Sequence, residues 1–428
     1  MKIVQIIPGV GDTFYCQNCM RDKEVLRELR SRRHDVVLAP MYLPVFSEGE
    51  DIGTIAPVFY GAVGVYLSQY FSGIANSPKW LKRMIDSRRL LGWIAKKGGT
   101  TSARGLEGMT LSVLHGENGG QKVELDRLVS WLIQEGKPDV VHLSNALLIG
   151  LAGEIKRRLN VPVVCALQDE DSWIDSMEPA ASRKAWDVIA EKSADICAFV
   201  PVSEYYSKLM QARLRLGPEK FHVVPIGINT TGYGEALLAA DRPTIGYLSK
   251  MAESLGLEVL VDAFIMLKTN TRLKNLRLKV MGGQTPEDKS FLKRLTRKLR
   301  SGNMLDDVEF CTSFDRNSRI AFLKSLSVMS VPMPHPEAFG MFILEAMASG
   351  VPVVQPRIGA FPELVEGTGG GLCYEPNNAS ALAGALEEVL LDTGRSTRMA
   401  QAGRKAVMEQ FSVSRMADSL LEIYGKCV

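Results

Sequence analysis

Apolar residues along this chain gather into short runs that read as buried strands. Lys2 to Ile7, Asp35 to Pro40, Asp139 to Leu143, Val161 to Leu167, Ile196 to Val200 and Phe221 to Ile226 form a first series. Thr244 to Leu248, Leu276 to Gly282, Val308 to Cys311, Val328 to Val331 and Val351 to Val354 form a second. Helical spacing lies between the runs, as over residues 18–33, where Val25, Leu26 and Leu29 face inward. Strands alternating with helices predict an α/β chain with parallel sheets. The polar stretch from Asn229 to Arg242 divides the two series and reads as a linker. The expected domains are 1–235 and 236–405, followed by a helical tail over 406–428 that carries Phe411, Met416 and Leu420.

One region breaks the alternation. Residues 45–125 form an oversized insertion before the next clear strand. Within it, Lys79 to Lys97 holds seven basic residues and one acid, with Trp80 and Trp93 among apolar residues at helical spacing. Such a stretch suits an anionic membrane surface. The preferred reading is a core helix with a solvated face, or a lid that shapes a binding site.

Composition narrows the function classes. The chain has 428 residues, 46% hydrophobic and 23% charged, which describes a soluble globular enzyme of two or three domains. A net charge of +3 gives no support to a nucleic-acid partner. No apolar run reaches membrane-span length, and Met1 to Ile7 is too short for a signal peptide. Seven cysteines, an odd number, lead to an expectation of free thiols in the cytoplasm. The inner membrane face is an option if residues 79–97 bind lipid. Cys16 and Cys19 have a metal-like spacing, but no second pair accompanies them, and structural thiols are the preferred reading.

The chemistry centres on residues 334–354. Pro334 and Pro336 end a strand and open a loop. Met341 to Ala348 then reads as a helix, with Gly350 where a C-cap belongs. The helix N-terminus offers unpaired N–H groups suited to a phosphate or diphosphate. Glu337 and Glu345 lie on either side and can accept hydrogen bonds from sugar hydroxyls. A ligand with hydroxyls at both ends of a diphosphate is a nucleotide sugar. The flanking helix is apolar (Phe342, Ile343, Leu344, Ala346, Met347), so Glu345 is either paired or functional.

At these residues the chain resembles the retaining glycosyltransferases of family 4, which have the GT-B fold: two Rossmann-like domains with a ligand cleft between them. The family signature is two Glu separated by seven residues. Here it is met by Glu337, Phe339, Gly340, Glu345, Ala346, Met347, Ala348, Gly350, Pro352, Val353 and Val354, and downstream by Gly359 to Val365 and Gly369 to Leu372. The resemblance implies that the first domain binds an acceptor, the second binds the donor, and the last helix packs back on the first. It implies that Glu337 positions the donor sugar and Glu345 holds the ribose, with further donor contacts from His335, Phe339, Gly340, Met341, Gly246, Ser249 and Lys250. It also implies a cytoplasmic, metal-independent hexosyltransferase that needs no cofactor beyond its nucleotide diphosphate sugar. The acceptor would be a hydroxyl of a glycan, lipid or small molecule.

Several positions depart from the family pattern. Lys250 stands where an Arg is expected, keeping the charge but losing the bidentate fork. Leu255 stands where a Lys is expected on the diphosphate, and Lys324 and Arg357 are the replacements to consider. Gln168 takes the place of a His at the end of a strand, and Ile226 and Asn229 replace the polar members of an Asn-Gly-Ile-Asp pattern. Gly9, Gly11 and Asp12 follow the first strand, where open α/β sheets bind ligands; a plain tight turn is the other reading. Gln168 and Asp169 are expected on the acceptor or phosphate side. Asp169 and Asp171 spell a D-x-D, but the rest of the chain argues against the metal-dependent fold that uses it. The rival to a transferase is a degenerate relative that binds a nucleotide sugar or a partner without turnover, with Gln168 and Leu255 as its marks. An epimerase or hydrolase would need acid/base residues that the sequence does not show.

Overall fold

The computed structural model describes residues 1–9, 15–42, 56–59, 105–234, 242–311 and 313–428. Gly11, Asp12 and the basic stretch 79–97 therefore lie outside the described residues. The chain divides into two compact units. The first comprises Met1–Gly11, Asn18–Pro225 and Met416–Val428, and the second comprises Asp12–Gln17 and Ile226–Arg415.

In the first unit, β1 (Lys2–Ile7), β2 (Asp35–Pro40), β3 (Val140–Leu143), β4 (Val163–Leu167) and β5 (Ala198–Pro201) form a sheet in the order β2-β1-β3-β4-β5. Every pairing is parallel, with Ile3 opposite both Val36 and Val140. The strands β3, β4 and β5 are buried at every residue, which is why their sequences are apolar runs and not alternating patterns.

The second unit repeats the plan. Its strands are β6 (Thr244–Leu248), β7 (Arg277–Met281), β8 (Val308–Phe310), β9 (Val328–Met329), β10 (Val353–Pro356) and β11 (Gly371–Tyr374), ordered β11-β10-β9-β6-β7-β8 and all parallel. The chain builds outward from β6 to β7 and β8 on one side, then crosses to β9 on the other. The loops after β6 and β9 therefore flank a topological switch point, the place where open parallel sheets bind ligands.

Two expectations are corrected. Phe221 to Ile226 is not a strand. Phe221 bridges Phe199, and the His222 and Val224 N–H groups donate to the Phe199 and Pro201 carbonyls, at 2.9 and 3.0 Å. The next parallel bridge would need a donor from residue 201, and Pro201 has no N–H, so the ladder stops. The thiols are also not all free. Cys197, just before β5, is disulfide-bonded to Cys427, near the end of the Val413–Cys427 helix, with Cα atoms 6.2 Å apart. Separated by 230 positions in sequence, the two come together because that helix packs in the first unit through Met416, Ala417, Leu420, Ile423 and Tyr424. There the Tyr424 hydroxyl meets His142 Nδ1 at 2.8 Å, and burial holds the His142 ring neutral by pushing its pKa down to about 3. No helix among the described residues is long and apolar enough to cross a membrane.

A disulfide that closes so long a loop restricts the unfolded chain. Reduction, or Cys427→Ser, should lower the stability of the first unit by about 2–4 kcal/mol. Urea unfolding with and without a reductant checks this; the Cys427→Ser protein should be indifferent to the reductant.

Candidate functional site

The loop after β9 carries the expected carboxylates. Pro334, His335 and Pro336 are exposed, Glu337 is half-buried, and Ala338 to Gly340 lead inward. The Ala360 N–H donates to the Glu337 carbonyl at 3.0 Å. Gly359 makes that approach possible: with φ +56°, a Cβ there would lie 2.5 Å from the Glu337 backbone N and O. Gly340 opens the Met341–Ala348 helix with φ 107°, a conformation that costs a side-chain-bearing residue energy. All eight helical residues are buried. The helix ends on Ser349, with Gly350 one residue further in the left-handed region and the Val351 N–H returning to the Ala346 carbonyl at 2.9 Å.

Glu345 points into this packed interior with no exposed surface. A buried carboxylate needs donors, and three supply them. Arg319 Nε donates to Oε1 at 3.0 Å, the Tyr233 hydroxyl donates to Oε1 at 2.6 Å, and the Tyr15 hydroxyl donates to Oε2 at 2.6 Å. Burial first, and the Glu345 charge second, raise both tyrosine pKa values well above the ordinary range, so both act as neutral donors. Arg319 comes from the Arg316–Lys324 helix, Tyr233 from the connection before β6, and Tyr15 from the short segment that clusters with this unit.

The same segment reaches the helix N-terminus. Gln17 Nε2 donates to Glu337 Oε1 at 3.0 Å, and Gln17 Oε1 accepts from the Met341 N–H. One carboxamide thus spans the first carboxylate and the first helical amide. Across the switch point, Lys250 is buried with its Nζ 3.4 Å from Asp288 Oδ2. Asp288 also takes the Thr285 N–H and hydroxyl, each at 2.7 Å. Ser249 follows β6 and donates its N–H to the Met281 carbonyl at 3.1 Å. Gly246 lies inside β6, where its missing Cβ makes room for Leu326. Phe339 is buried against Phe411, with ring centroids 6.5 Å apart. Arg357, considered for the missing cation, pairs with Glu366 at an exposed position.

In the first unit, Gly9 follows β1 with φ 136°. Gln168 and Asp169 follow β4. Arg21 Nη1 donates to Gln168 Oε1, and its Nη2 to the Ser144 carbonyl, both at 2.8 Å. Gln168 Nε2 and Ser144 Oγ are buried without a partner among the described residues. Asp169 sits in the left-handed region. Burial, then the Asp171 and Glu170 carboxylates, push its carboxyl up to about 7. Glu170 is buried and fully engaged, accepting the Ala146 N–H at 2.9 Å and the Tyr206 hydroxyl at 2.7 Å. Asp171 Oδ1 also lies 2.9 Å from the Tyr206 hydroxyl, so Asp171 shares that partner with Glu170; among the described residues no cluster of three or more His, Cys, Asp or Glu is arranged for a metal ion.

Sequence reasoning missed Tyr15, Gln17, Tyr233, Arg319, Asp288 and Arg21. Tyr15 and Gln17 carried one signal, their place in the sequence shortly after Gly9, Gly11 and Asp12. Arg319 and Tyr233 carried none, because their role depends on where Glu345 points.

Comparison with known proteins bears on the family and the fold. Residues 234–406 match the family described as Glycosyl transferases group 1, and residues 106–231 match Glycosyltransferase Family 4. A D-inositol 3-phosphate glycosyltransferase of Jonesia denitrificans is 24% identical over 68% of this chain and 73% of its own length. An MMP alpha-(1->4)-mannosyltransferase of Mycolicibacterium hassiacum is 25% identical over 69% of this chain and 72% of its own. Among solved structures, a sucrose-phosphate synthase from Thermosynechococcus elongatus shares the fold with a TM-score of 0.71 at 15% identity, covering 100% of this chain and 99% of that one. Anabaena HepE, solved with UDP-glucose, gives 0.68 at 13% identity with full coverage of both chains.

Removing one member of the buried ion pair leaves the other uncompensated. Arg319→Met should cost the second unit about 3–5 kcal/mol, read by urea unfolding. In the first unit, the Asp169 carboxyl should titrate near 7 by carbon NMR, protonated below and ionised above. Asp171→Asn should move that midpoint down, since it removes a like charge.

Proposed function

The chain belongs to glycosyltransferase family 4, with the GT-B fold, and from that premise we propose that it moves a sugar from a nucleotide diphosphate sugar to a hydroxyl acceptor with retention at the anomeric carbon. The observation that carries this reading is the end of the Met341–Ala348 helix. There a carboxylate acceptor, Glu337, and a backbone donor, the Met341 N–H, are close enough to be spanned by one small polar group. A donor sugar beside a diphosphate needs that pairing. The helix lies next to the switch point of a parallel sheet, and the UDP-glucose held by Anabaena HepE supplies the ligand class to try.

In this mechanism Glu337 orients the donor sugar, with His335, Phe339 and Gly340 beside it, and Glu345 takes the ribose. The bond from the anomeric carbon to the diphosphate oxygen breaks as the acceptor oxygen attacks from the same face. The departing diphosphate takes the acceptor's proton. The helix dipole and Lys250 stabilise the charge that develops on it, so no metal or other cofactor is called for. On the acceptor side, Gln168 Nε2 and the Asp169 carboxyl are the groups suited to a hydroxyl, together with Gly9 and, outside the described residues, Gly11 and Asp12. The sugar is expected to be a hexose.

One observation favours a second reading, binding without turnover. Lys250 is committed to Asp288, and Leu255 offers no second cation to the leaving group. Incubation with UDP-, GDP- and ADP-hexoses, followed by NMR of the released sugar, separates the two. Transfer or slow hydrolysis with the donor's anomeric configuration kept, reduced at least a hundredfold in Glu337→Gln, is the expected result for the transferase. Binding with no release, and a large gain in affinity on Leu255→Lys, would move the assignment to the degenerate reading.

A further inference from the structure

We propose that Tyr15 and Gln17 form a built-in occupant of the donor site, a piece of the protein's own chain that a nucleotide sugar must displace in order to bind. The proposal rests on the donor-site reading given above and adds a regulatory feature to it.

Three observations converge. First, the stretch Asp12–Gln17 belongs to the second unit, although the chain on both sides of it, Met1–Gly11 and Asn18–Pro225, belongs to the first. Second, its polar groups sit on the groups expected to take the donor. The Tyr15 phenol is on Glu345, while the Gln17 carboxamide is on Glu337 and on the Met341 N–H. The Tyr15 N–H is anchored on the Gly282 carbonyl at 2.8 Å. The chemistry is imitative: a phenol hydroxyl donates to a carboxylate as a ribose hydroxyl would. A carboxamide oxygen accepts from a helix N-terminus as a phosphate or sugar oxygen would.

Third, the partners of Glu345 are unequal. Oε1 is held by Arg319 and Tyr233, and both are secured elsewhere. Arg319 Nη1 donates to the Phe314 carbonyl at 2.9 Å. Tyr233 lies under the Arg316 guanidinium, 5.5 Å from its ring centroid, and its carbonyl accepts from Arg404 at 3.2 Å. Oε2 receives Tyr15, which is held by its N–H on the Gly282 carbonyl and by the Arg319 guanidinium 5.7 Å from its ring centroid, but whose segment begins and ends at a change of unit. Arg319 and Tyr233 therefore fix the carboxylate, and Tyr15 is the partner that a ribose diol would replace. A site that is occupied part of the time binds its ligand more weakly, in proportion to the fraction that is open.

The test is calorimetric binding of UDP, GDP and ADP to the full-length wild-type protein and to Tyr15→Phe, Gln17→Ala and Glu345→Gln. Tyr15→Phe keeps the ring and removes the hydroxyl, so Glu345 Oε2 lacks that donor until a ribose supplies one. The nucleotide that binds wild type should bind Tyr15→Phe about tenfold tighter, a gain of ~1.4 kcal/mol. Gln17→Ala should bind it about threefold tighter, since a hydrogen bond that competes with the ligand is gone. It also carries the test if Tyr15→Phe does not fold, because Glu337 is half-buried and less demanding. Equal or weaker binding in the folded variants overturns the proposal, making Tyr15 and Gln17 plain parts of the site. If that occurs while Glu345→Gln abolishes binding, the donor-site reading stands and the proposal alone fails. If neither wild type nor either variant binds any of the three nucleotides, both fail.

Discussion

The second unit is organised by the burial of one carboxylate. Glu345 lies in a helix whose other seven residues are apolar and buried, so nothing on its own element can solvate it. A buried charge without partners would cost several kcal/mol and would drive protonation instead. The fold answers with a cation and two phenols drawn from three distant parts of the chain. The Arg316–Lys324 helix, the connection before β6 and the segment around Tyr15 are thus all tied to one point. The apolar helix and its single acid form one constraint: the helix can be buried only where these three donors converge.

That constraint also sets the position of the site. The Met341–Ala348 helix follows β9, which pairs with β6 where the sheet changes direction. Burying the helix along its length leaves its N-terminus at the mouth of the switch point. Glu337 stands there half-buried while Glu345 is sealed below it. Two carboxylates on one short unit therefore differ in chemistry. Glu337 meets the Gln17 carboxamide beside the helix N-terminus, whereas Glu345 is held by Arg319 and Tyr233 on Oε1 and by Tyr15 on Oε2.

The first unit shows a related economy. Arg21 gathers Asp22, Gln168 and the Ser144 carbonyl at the ends of β3 and β4, and Gln168 Nε2 and Ser144 Oγ have no partner among the described residues. A buried amide and a hydroxyl that are unmet among the described residues, beside a carboxyl with a raised pKa, make this a second polar centre, in the first unit. Close to this group, the Tyr424 hydroxyl meets His142 in β3, and the Cys197–Cys427 bond ahead of β5 fastens the terminal helix a second time.

The sequence by itself determined the two parallel sheets, because strands buried on both faces must be written as apolar runs, and that pattern is local. It likewise determined the strand–loop–helix unit with its two acids, since Pro334, Pro336, Gly340 and Gly350 punctuate it and Glu345 interrupts an apolar helix. It failed at Phe221 to Ile226, where composition suits a strand but Pro201 on the neighbour lacks the necessary N–H. Only the tertiary structure decided who meets Glu345. Tyr15, Tyr233 and Arg319 are ordinary residues in their local context, and 330, 112 and 26 positions separate them from it. The same holds for Cys197 and Cys427. Hydrogen bonds and disulfides depend on distance in space, and no local pattern in the chain encodes a contact made across a closed fold.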